Sequence, residues 1–407
     1  MKVLYLNPTG QLGGAERSLL LLMESIKAAR PKWQLELIAG AEGPLIDRAL
    51  ELGVRATAIP FPRALSRLGD SSASGAGRRL DRLALAGGIG RAGVPGAAYL
   101  YKLRGAIAER APKVIHSNGF KMHILGAWAR TAGTPLIWHI RDYVGSRPLM
   151  SRLIRANAHR CTAAIANSNS VAEDLRSVCG GNLRVEMIYN AVDLDKFNPR
   201  GEAADLDKLA GMDAPASGTI RVGMIATMAR WKGHEVFLRA LSKLAGKFPL
   251  RAYVIGGSLY ETLGSQHRIE DLRKMATELG VEHVVGFTGF LDDTAAAMRA
   301  LDIVVHASTE PEPFGLAIAE GMACGKPVIA SGAGGAAEIV EPKVDALTHR
   351  PGDVDGLAEC IERLALDGEL RKRIGAAARV SAERQFGRER LVAGILPIYD
   401  GVASAAA

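Results

Sequence analysis

The sequence predicts an α/β protein built from two doubly wound, parallel-sheet domains. Three observations carry this prediction. Short apolar runs of strand length alternate with amphipathic runs of helix length, which is typical of parallel sheets covered by helices. The alternation stops in residues 193–218, which are polar and rich in turn-forming residues, and then restarts. A length of 407 residues suffices for two domains that each bury a core.

The first predicted domain, residues 1–192, alternates short apolar strands with amphipathic helices. Its predicted strands are Lys2–Leu6, Leu35–Ala39, Arg55–Ile59, Val114–His116, Leu136–Ile140, Ala163–Asn167 and Val185–Ile188. The helices between them include Ala15–Ala28, Leu45–Leu52, Lys121–Arg130, Leu149–Arg160 and Ser170–Val178. Residues 193–218 are then interpreted as an interdomain linker.

The second predicted domain, residues 219–386, repeats the pattern of elements without repeating the sequence. Its predicted strands are Ile220–Ile225, Arg251–Ile255, Val284–Thr288, Ile303–His306, Pro327–Ala330 and Ala346–His349. Predicted helices are Gly315–Ala323, Leu357–Leu366 and Glu369–Arg384. A last helical segment occupies residues 387–402, and the Ala-rich tail, residues 403–407, is predicted to be disordered.

Composition and residue spacing narrow the class of function. The four cysteines lie far apart and the nine histidines form no metal-binding motif, so we predict no catalytic metal, no cofactor and reduced thiols. No apolar run reaches the roughly 18 residues of a spanning helix. The first residues do not form a signal peptide, because their apolar run is short and a turn follows it. We therefore expect a cytoplasmic protein.

The formal net charge of +8 favours an anionic partner, and much of the charge lies in one basic segment, Arg63–Lys113. Two interpretations stay open. The segment forms a face that docks on anionic lipid at the inner side of the plasma membrane, or on a lipid-diphosphate acceptor. Alternatively, it is a solvated helical face with a mobile loop. Nucleic acid is not expected as a partner, because no nucleic-acid-binding motif accompanies the charge.

The most informative segment follows the predicted strand that ends at His306. Glu312 lies just before a predicted helix and Glu320 lies on that helix, so their spacing allows both to face one side. The free amides of Phe314, Gly315 and Leu316 point out of the helix start, where a negative group is favoured. Carboxylates that bind hydroxyls, beside amides that bind an anion, suit a nucleotide sugar.

This Glu-x7-Glu element resembles the signature of the retaining GT-B glycosyltransferases of family 4. The resemblance implies a GT-B architecture, in which two Rossmann-like domains face each other across a cleft and a C-terminal helix crosses back to the first domain. It implies that the first domain binds the acceptor and the second binds the donor. It also implies that Glu312 lies against the transferred sugar, that Glu320 binds ribose hydroxyls, and that the amides of residues 314–316 contact donor hydroxyls and phosphate.

A glycine-rich turn follows the first predicted strand and precedes a helix. Gly13 and Gly14 let the backbone approach a ligand closely, and the helix start favours phosphate. The turn is similar to the first loop of the family, which lies near the donor diphosphate and the acceptor.

His139 ends another predicted strand, at a position where a family histidine lies close to the transferred sugar.

Four polar residues at the same strand ends are candidates for the acceptor side. Arg141 and Asp142 directly follow the strand of His139, and Asn118 and Lys121 follow the preceding strand. For the latter two, turn and helix-capping chemistry remains an equal alternative.

The segment after the first strand of the second domain contains Lys232-Gly-His. The family places a lysine here, and usually an arginine a few residues earlier, to neutralise the donor diphosphate. The usual arginine position is Thr227, so it stays open whether Arg230 does the same work. Gly257 and Phe290 end two further strands, where similar stretches bind the base and sugar through backbone groups.

The resemblance implies a retaining, metal-independent transferase that moves a sugar from a nucleoside diphosphate to a hydroxyl of a lipid-linked or polysaccharide acceptor. UDP is the commonest carrier in the family and GDP the next, and neither is specified by the residues. Two alternatives stay open. One is a nucleotide-sugar epimerase or sugar phosphorylase on the same fold. The other is a non-catalytic module that binds nucleotide sugar or a membrane surface.

Overall fold

A computed structural model of the chain describes residues 1–62, 80–257 and 266–405, with the backbone alone for residues 80–92. The chain forms two compact units. Unit 1 comprises Met1–Asn190 together with Arg388–Ala407, and unit 2 comprises Ala191–Gly387. The end of the chain therefore belongs to the same unit as its beginning.

Unit 1 is built on a seven-stranded sheet in which every described pairing is parallel. The strands are β1 (Lys2–Asn7), β2 (Gln34–Ala39), β3 (Arg55–Ala58), β4 (Val114–Asn118), β5 (Leu136–Ile140), β6 (Ala163–Ala166) and β7 (Val185–Met187). Their spatial order is β3-β2-β1-β4-β5-β6-β7, so the direction of winding reverses between β1 and β4. Open parallel sheets bind ligands beyond the carboxyl ends of their strands at such a reversal.

The helices of unit 1 cover this sheet and bury its apolar residues. They are α1 (Gly14–Ala29), α2 (Pro44–Glu51), α3 (Leu80–Arg110), α4 (Phe120–Ala129), α5 (Pro148–Asn157), α6 (Asn169–Cys179) and the C-terminal helix (Arg388–Ala405). The core includes Leu4, Leu6, Ile115 and Trp138, which are fully buried.

Unit 2 is built on a six-stranded parallel sheet with the same kind of reversal. Its strands are β8 (Ile220–Ile225), β9 (Leu250–Ile255), β10 (Val285–Gly289), β11 (Ile303–Val305), β12 (Val328–Ser331) and β13 (Ala346–His349). The spatial order is β10-β9-β8-β11-β12-β13, which places the reversal between β8 and β11. The predicted fold class, two doubly wound parallel sheets in an α/β protein, is confirmed.

The helices of unit 2 are mostly short. They are α7 (Leu206–Ala210), α8 (His234–Ser242), α9 (Ile269–Glu278), α10 (Thr294–Arg299), α11 (Leu316–Ala323), α12 (Gly335–Glu338), α13 (Val354–Leu366) and α14 (Gly368–Phe386). Local side chains fix where several of them start. For example, the Asp353 and Asp367 carboxylates accept hydrogen bonds from the Gly356 and Leu370 amides at 2.9 Å and 2.8 Å, which caps α13 and α14.

Three differences from the sequence prediction concern the linker and two helix ends. The segment predicted as a linker, residues 193–218, is part of unit 2 and contains α7, because the buried Asp207 accepts a hydrogen bond from Tyr253 of β9 at 2.7 Å. The helix predicted over Leu149–Arg160 becomes a 3-10 turn after Asn157. The C-terminal helix continues to Ala405, so residues 403–405 of the predicted disordered tail are helical.

The basic segment, Arg63–Lys113, lies partly outside the described residues, because residues 63–79 are not among them. Its described part is mostly α3, on which Val94 and Tyr101 each leave 83% of their surface exposed. Within the described residues, no helix is both long enough and apolar enough to cross a bilayer.

Candidate functional site

An ion pair at the reversal of the unit 2 sheet joins two residues that sequence analysis selected. The Lys232 ammonium donates to Oε1 and Oε2 of Glu312 at 2.9 Å and 2.8 Å. Lys232 lies in the 3-10 turn after β8, and Glu312 follows β11, the neighbouring strand. The Lys232 ammonium also lies 4.0 Å from the centre of the Trp231 ring, which favours a cation.

Two further side chains, His306 and Ser308, orient the Glu312 carboxylate. Ser308 donates to Glu312 Oε2 at 2.9 Å, and His306 Nε2 lies 3.1 Å from the same oxygen. The Ser331 amide donates to His306 Nδ1 at 3.3 Å, so Nδ1 is the acceptor and Nε2 carries the proton. All of these residues are at least nine-tenths buried, so the carboxylate has one preferred position.

The charge of this carboxylate is set by its partners. Burial raises the pKa of Glu312, but Lys232 and His306 lower it more, and the result is a pKa well below the usual carboxyl range. Glu312 is therefore ionised at neutral pH. The pair presents a carboxylate and an ammonium side by side, which can bind sugar hydroxyls and phosphate oxygens respectively.

A glycine allows the two loops to approach each other. Gly233, next to Lys232, has a φ of +81°, and a Cβ atom on it would lie 1.9 Å from the Ala307 carbonyl oxygen. Both the left-handed conformation and the close contact exclude other residues. The Lys232-Gly element thus places the ammonium beside the strand end that leads to Glu312.

The helix that follows Glu312 starts one residue later than predicted. Gly315, at a φ of +95°, precedes the first helical residue, Leu316, and Phe314 packs edge-on against Phe386 with ring centres 5.8 Å apart. The amides at this helix start carry a partial positive charge and can bind an anion. Glu320 lies on the helix as predicted and is nine-tenths buried.

The remaining predicted residues of unit 2 lie near other strand ends. Arg230 is exposed in the same 3-10 turn as Lys232 and lines a groove of about 420 Å³ with His267 and Thr309. Gly257 follows β9, and a Cβ atom on it would lie 3.3 Å from Cβ of Phe290, which follows β10 and is 46% exposed. The structure therefore brings Gly257 and Phe290 together.

At the reversal of the unit 1 sheet, the glycine-rich turn is held by a buried glutamate. The Gly13 amide donates to Glu16 Oε2 at 3.1 Å, and Asn7, at the end of β1, donates to Glu16 Oε1 at 3.3 Å and to the Thr9 carbonyl at 2.8 Å. Gly13 precedes α1 and Gly14 is its first residue. Burial raises the pKa of Glu16, although Asn7 opposes that shift.

His139 and Arg141 lie in one buried hydrogen-bond network. Arg141 Nη2 lies 3.3 Å from His139 Nδ1, and Arg141 Nε donates to Asn118 Oδ1 at 3.4 Å. Arg141 Nη1 also donates to the side-chain oxygen Oδ1 of Asn190. Burial lowers the pKa of Arg141 to about 10, although Glu16 opposes that shift, so the guanidinium stays charged at neutral pH.

This network continues to the C-terminal helix. His139 Nδ1 lies 3.1 Å from His116 Nε2, and His116 Nδ1 lies 2.6 Å from the Tyr399 hydroxyl. Burial, with a smaller contribution from Arg141, lowers the pKa of both histidines well below the usual range. Both rings are therefore neutral at neutral pH.

Several polar atoms around these strand ends are buried without a partner. Among the described residues, nothing pairs with Asn7 Oδ1, Asn118 Nδ2 or His139 Nε2, although all three side chains are at least 98% buried. A buried donor or acceptor without a partner costs about 1–3 kcal/mol. Such atoms mark positions where a bound polar molecule, water included, can form the missing hydrogen bonds.

The other two acceptor-side candidates are less buried. Asp142 accepts from Arg147 at 2.6 Å and from the Tyr143 amide at 2.8 Å, so its carboxylate is engaged within its own loop. Lys121 is the second residue of α4.

In the part of the chain that the structure describes, no cluster of three or more acidic, histidine or cysteine side chains could hold a metal ion.

Sequence reasoning missed six members of the two sites as functional residues. In unit 2 these are His306 and Ser308, and in unit 1 they are Asn7, Glu16, His116 and Tyr399. The first two follow β11 in the sequence, so their position at a strand end was a usable signal. No sequence signal pointed to Tyr399, because its partner His116 lies 283 positions away.

Comparison with known families agrees with the two sites. The family model described as Glycosyltransferase Family 4 matches residues 12–196, and the model described as Glycosyl transferases group 1 matches residues 214–381. Together the two matches span most of the chain, and each covers one of the sites.

Curated relatives include the lipopolysaccharide core biosynthesis glycosyltransferase LpsE of Rhizobium meliloti, which is 29% identical over 67% of this chain and 74% of its own length. The D-inositol 3-phosphate glycosyltransferase of Thermomonospora curvata is 31% identical over 63% of this chain and 60% of its own length. For the other relatives compared, the matched segment spans about half to two thirds of the relative.

Among solved structures, Alr3699/HepE of Anabaena in complex with UDP-glucose is 26% identical, with a TM-score of 0.77 and coverage of 100% of this chain and 99% of that one. Sucrose-phosphate synthase from Thermosynechococcus elongatus is 20% identical, with a TM-score of 0.77 and full coverage of both chains. At that identity the second likeness shows the fold alone.

Proposed function

The chain belongs to the glycosyltransferases of the GT-B family 4 type, and on that premise we propose that it transfers a sugar from a nucleoside diphosphate to an acceptor hydroxyl with retention of anomeric configuration. UDP is the first candidate carrier, because Alr3699/HepE is solved with UDP and with UDP-glucose, and GDP is the second. A lipid-linked or polysaccharide acceptor suits the basic first unit. The Lys232–Glu312 pair at the sheet reversal is the observation that carries this proposal.

In the proposed reaction, unit 2 binds the donor. The Lys232 ammonium and the helix start at residues 314–316 face the diphosphate and stabilise the negative charge that grows as it leaves. Arg230 adds positive charge from the same turn. Glu320 binds the ribose hydroxyls, and Gly257 and Phe290 contact the base.

Glu312 and His139 would orient the sugar rather than attack it. Glu312 is ionised and accepts from sugar hydroxyls, whereas His139 is neutral and offers a donor at Nε2. The new bond forms on the face that the diphosphate leaves, and a leaving phosphate oxygen takes the acceptor proton. Because lysine supplies the positive charge at the diphosphate, transfer should not change when EDTA removes divalent metal.

The first test is binding of UDP, GDP and their sugars, measured as thermal stabilisation of wild type and Glu320→Ala. A ligand at a hundred times its Kd should add about 2.7 kcal/mol to the free energy of unfolding. We expect stabilisation by one nucleotide family that is lost in Glu320→Ala. Glu278→Ala, on the exposed part of α9, is the matched control and should keep it.

Stabilisation by none of the nucleotides would contradict the proposal and favour the alternative of a non-catalytic module that binds a membrane surface. Analysis of the products then identifies the reaction. A glycoside with the donor's anomeric configuration supports transfer, whereas a free epimer or a sugar phosphate formed from inorganic phosphate supports an epimerase or a phosphorylase.

We also propose that α3 docks unit 1 on an anionic membrane surface. The apolar Val94 and the aromatic Tyr101 each leave 83% of their surface exposed. The exposed cations Lys102 and Arg104 follow them in the sequence. Apolar groups beside cations suit a surface of anionic lipid. Tyr101→Ser combined with charge reversal at the two cations should weaken sedimentation with anionic vesicles but not change nucleotide binding.

The matched control is Lys372→Glu, an exposed cation on α14 of unit 2, which should leave vesicle binding unchanged. Equal binding by wild type and the α3 variant would remove the support for a membrane face and favour a solvated helix.

A further inference from the structure

The guanidinium of Arg141 determines the direction of the hydrogen bonds that it makes in the unit 1 network. A guanidinium can only donate, because it has no acceptor atom and stays protonated. Its three partners are His139 Nδ1, Asn118 Oδ1 and Asn190 Oδ1. Each of these atoms must therefore be an acceptor.

The state of His139 follows from this constraint. Nδ1 accepts from Arg141 at 3.3 Å, so the single proton of the neutral ring lies on Nε2. His116 must then donate from its Nε2 to the same Nδ1, at 3.1 Å, which leaves its own Nδ1 to accept from the Tyr399 hydroxyl at 2.6 Å. The single proton of that hydroxyl therefore serves this short contact and not the 3.3 Å contact with the Tyr5 hydroxyl. His139 thus holds an N–H donor that has no partner among the described residues.

The orientation of Asn118 follows in the same way. Its carbonyl oxygen faces Arg141 Nε, so the amide nitrogen must face away from the guanidinium. This nitrogen is buried and, in the described part of the chain, has no acceptor. Asn118 and His139 are register partners on β4 and β5, so both side chains leave the same face of the sheet.

We infer that Arg141 is a positioning residue that turns Asn118 and His139 into a subsite with two N–H donors for an oxygen atom of the substrate. The chemical class that fits is a sugar hydroxyl, which accepts from both donors. Without Arg141, the contact between the two histidines can run in either direction, and the amide of Asn118 can turn over. The role of this subsite in transfer rests on the proposed function, whereas its protonation pattern does not.

The first experiment reads the tautomer of His139 directly. The full chain is labelled with ¹⁵N-histidine, long-range ¹H–¹⁵N correlations are recorded near neutral pH, and the His139 signals are identified by their loss in His139→Gln. We expect a protonated Nε2 and an unprotonated Nδ1 in the wild type. A proton on Nδ1 of the wild-type ring would overturn the inference.

The second experiment removes the obligate donor. Arg141→Met should give His139 a mixed or reversed tautomer and lower kcat on the order of 10²-fold, as expected for a misplaced contact. UDP affinity should not change, since the proposed donor site belongs to unit 2. Arg141→Lys, which keeps a cationic donor, should restore part of the tautomer and part of kcat.

The matched control is Arg176→Met, because the exposed Arg176 bonds only to the Val185 carbonyl among the contacts described. It should leave the His139 signals and kcat unchanged. An unchanged tautomer in Arg141→Met would overturn the positioning role, and Arg141→Lys decides the question if Arg141→Met does not fold. A wild type that transfers no sugar would refute the proposed function, while the histidine spectra would still test the subsite.

Discussion

Lys232 and Glu312 lie 80 positions apart in the sequence, yet the Lys232 ammonium is within 2.9 Å of both Glu312 carboxylate oxygens. The parallel sheet of unit 2 explains this contact. β8 and β11 are neighbours because the winding reverses between them, so the loops that follow these strands leave the sheet at one place. The pair therefore depends on the strand order and not on any local pattern.

Breaking this pair should destabilise unit 2. Removing one partner of a buried ion pair typically costs 3–5 kcal/mol, because the other charge stays buried without compensation. Since 19% of the Lys232 side chain is exposed, we expect Lys232→Met to lower the free energy of unfolding by about 3 kcal/mol. Urea denaturation measures this loss. In the double variant with Glu312→Gln the losses should be less than additive, and strict additivity would show that the two side chains are not coupled.

The same pair should give a defined pH dependence. The pKa of Glu312 is lower in the folded chain than in the unfolded chain, so its contribution to the free energy of unfolding is fully present at a pH above the unfolded-state pKa, about 4.3. This contribution is lost as the pH falls through the folded-state pKa. The stability difference between wild type and Glu312→Gln should thus be constant down to about pH 5 and shrink below it. The exposed Glu278→Gln serves as the control, and a difference that grows in acid would contradict the assignment.

The buried His123 should make unit 1 sensitive to acid. Burial lowers its pKa to about 3, whereas a histidine in an unfolded chain titrates near 6.5. Its neutral form thus stabilises the fold above about pH 6.5, and this contribution is lost as the pH falls toward the folded value. Between these pH values it adds a slope of about 1.4 kcal/mol per pH unit to the free energy of unfolding.

His123→Phe should remove that slope, whatever its effect on absolute stability through the lost 2.8 Å contact with Ser117. Denaturation curves at several pH values in this window give the slope for each protein. Parallel slopes for the two proteins would mean that His123 is not kept neutral by the fold.

Two glycines with the same backbone angle separate conformational strain from steric contact. Gly233 and Gly218 both have a φ of +81°, but a Cβ atom would meet the Ala307 carbonyl oxygen at 1.9 Å in the first case and nothing within 4 Å in the second. Gly218→Ala should cost about 1–2 kcal/mol for the left-handed conformation alone. Gly233→Ala should cost about 1–3 kcal/mol more from the steric contact.

Gly233→Ala should also weaken nucleotide binding, because the contact moves the turn that holds Lys232 away from Glu312. Gly218→Ala should not weaken it. Calorimetric titration with UDP compares the two variants, and equal affinities would show that Gly233 serves stability only.

Much of the fold could be predicted from the sequence because most strands are buried on both faces. The strands over Leu136–Ile140, Ile220–Ile225 and Ala346–His349 have the bounds predicted for them, since each is a short, largely apolar segment between helix or turn signals. α3 was not predicted as a helix, because Pro95 and several glycines in its sequence favour turns.

The candidate site could be predicted from the sequence only in part. Glu312, Glu320 and Lys232 were found because each lies in a short motif at a strand end. The hydrogen bonds that join residues of the unit 1 site could not be predicted, since Arg141 meets Asn118 across 23 positions and His116 meets Tyr399 across 283. Such pairs are set by strand order and by the return of the C-terminal helix, which no short pattern encodes.

The membership of the C-terminal helix in unit 1 has a consequence for synthesis. Residues 1–190 are translated first, yet Tyr399, the hydrogen-bond partner of His116, is translated only after unit 2. Unit 2 is complete in the sequence at Gly387, whereas unit 1 still lacks its last helix at that point. A chain truncated after Gly387 should therefore show protease resistance in unit 2 and cleavage in unit 1. The half of the protein that is translated first is the half that is finished last.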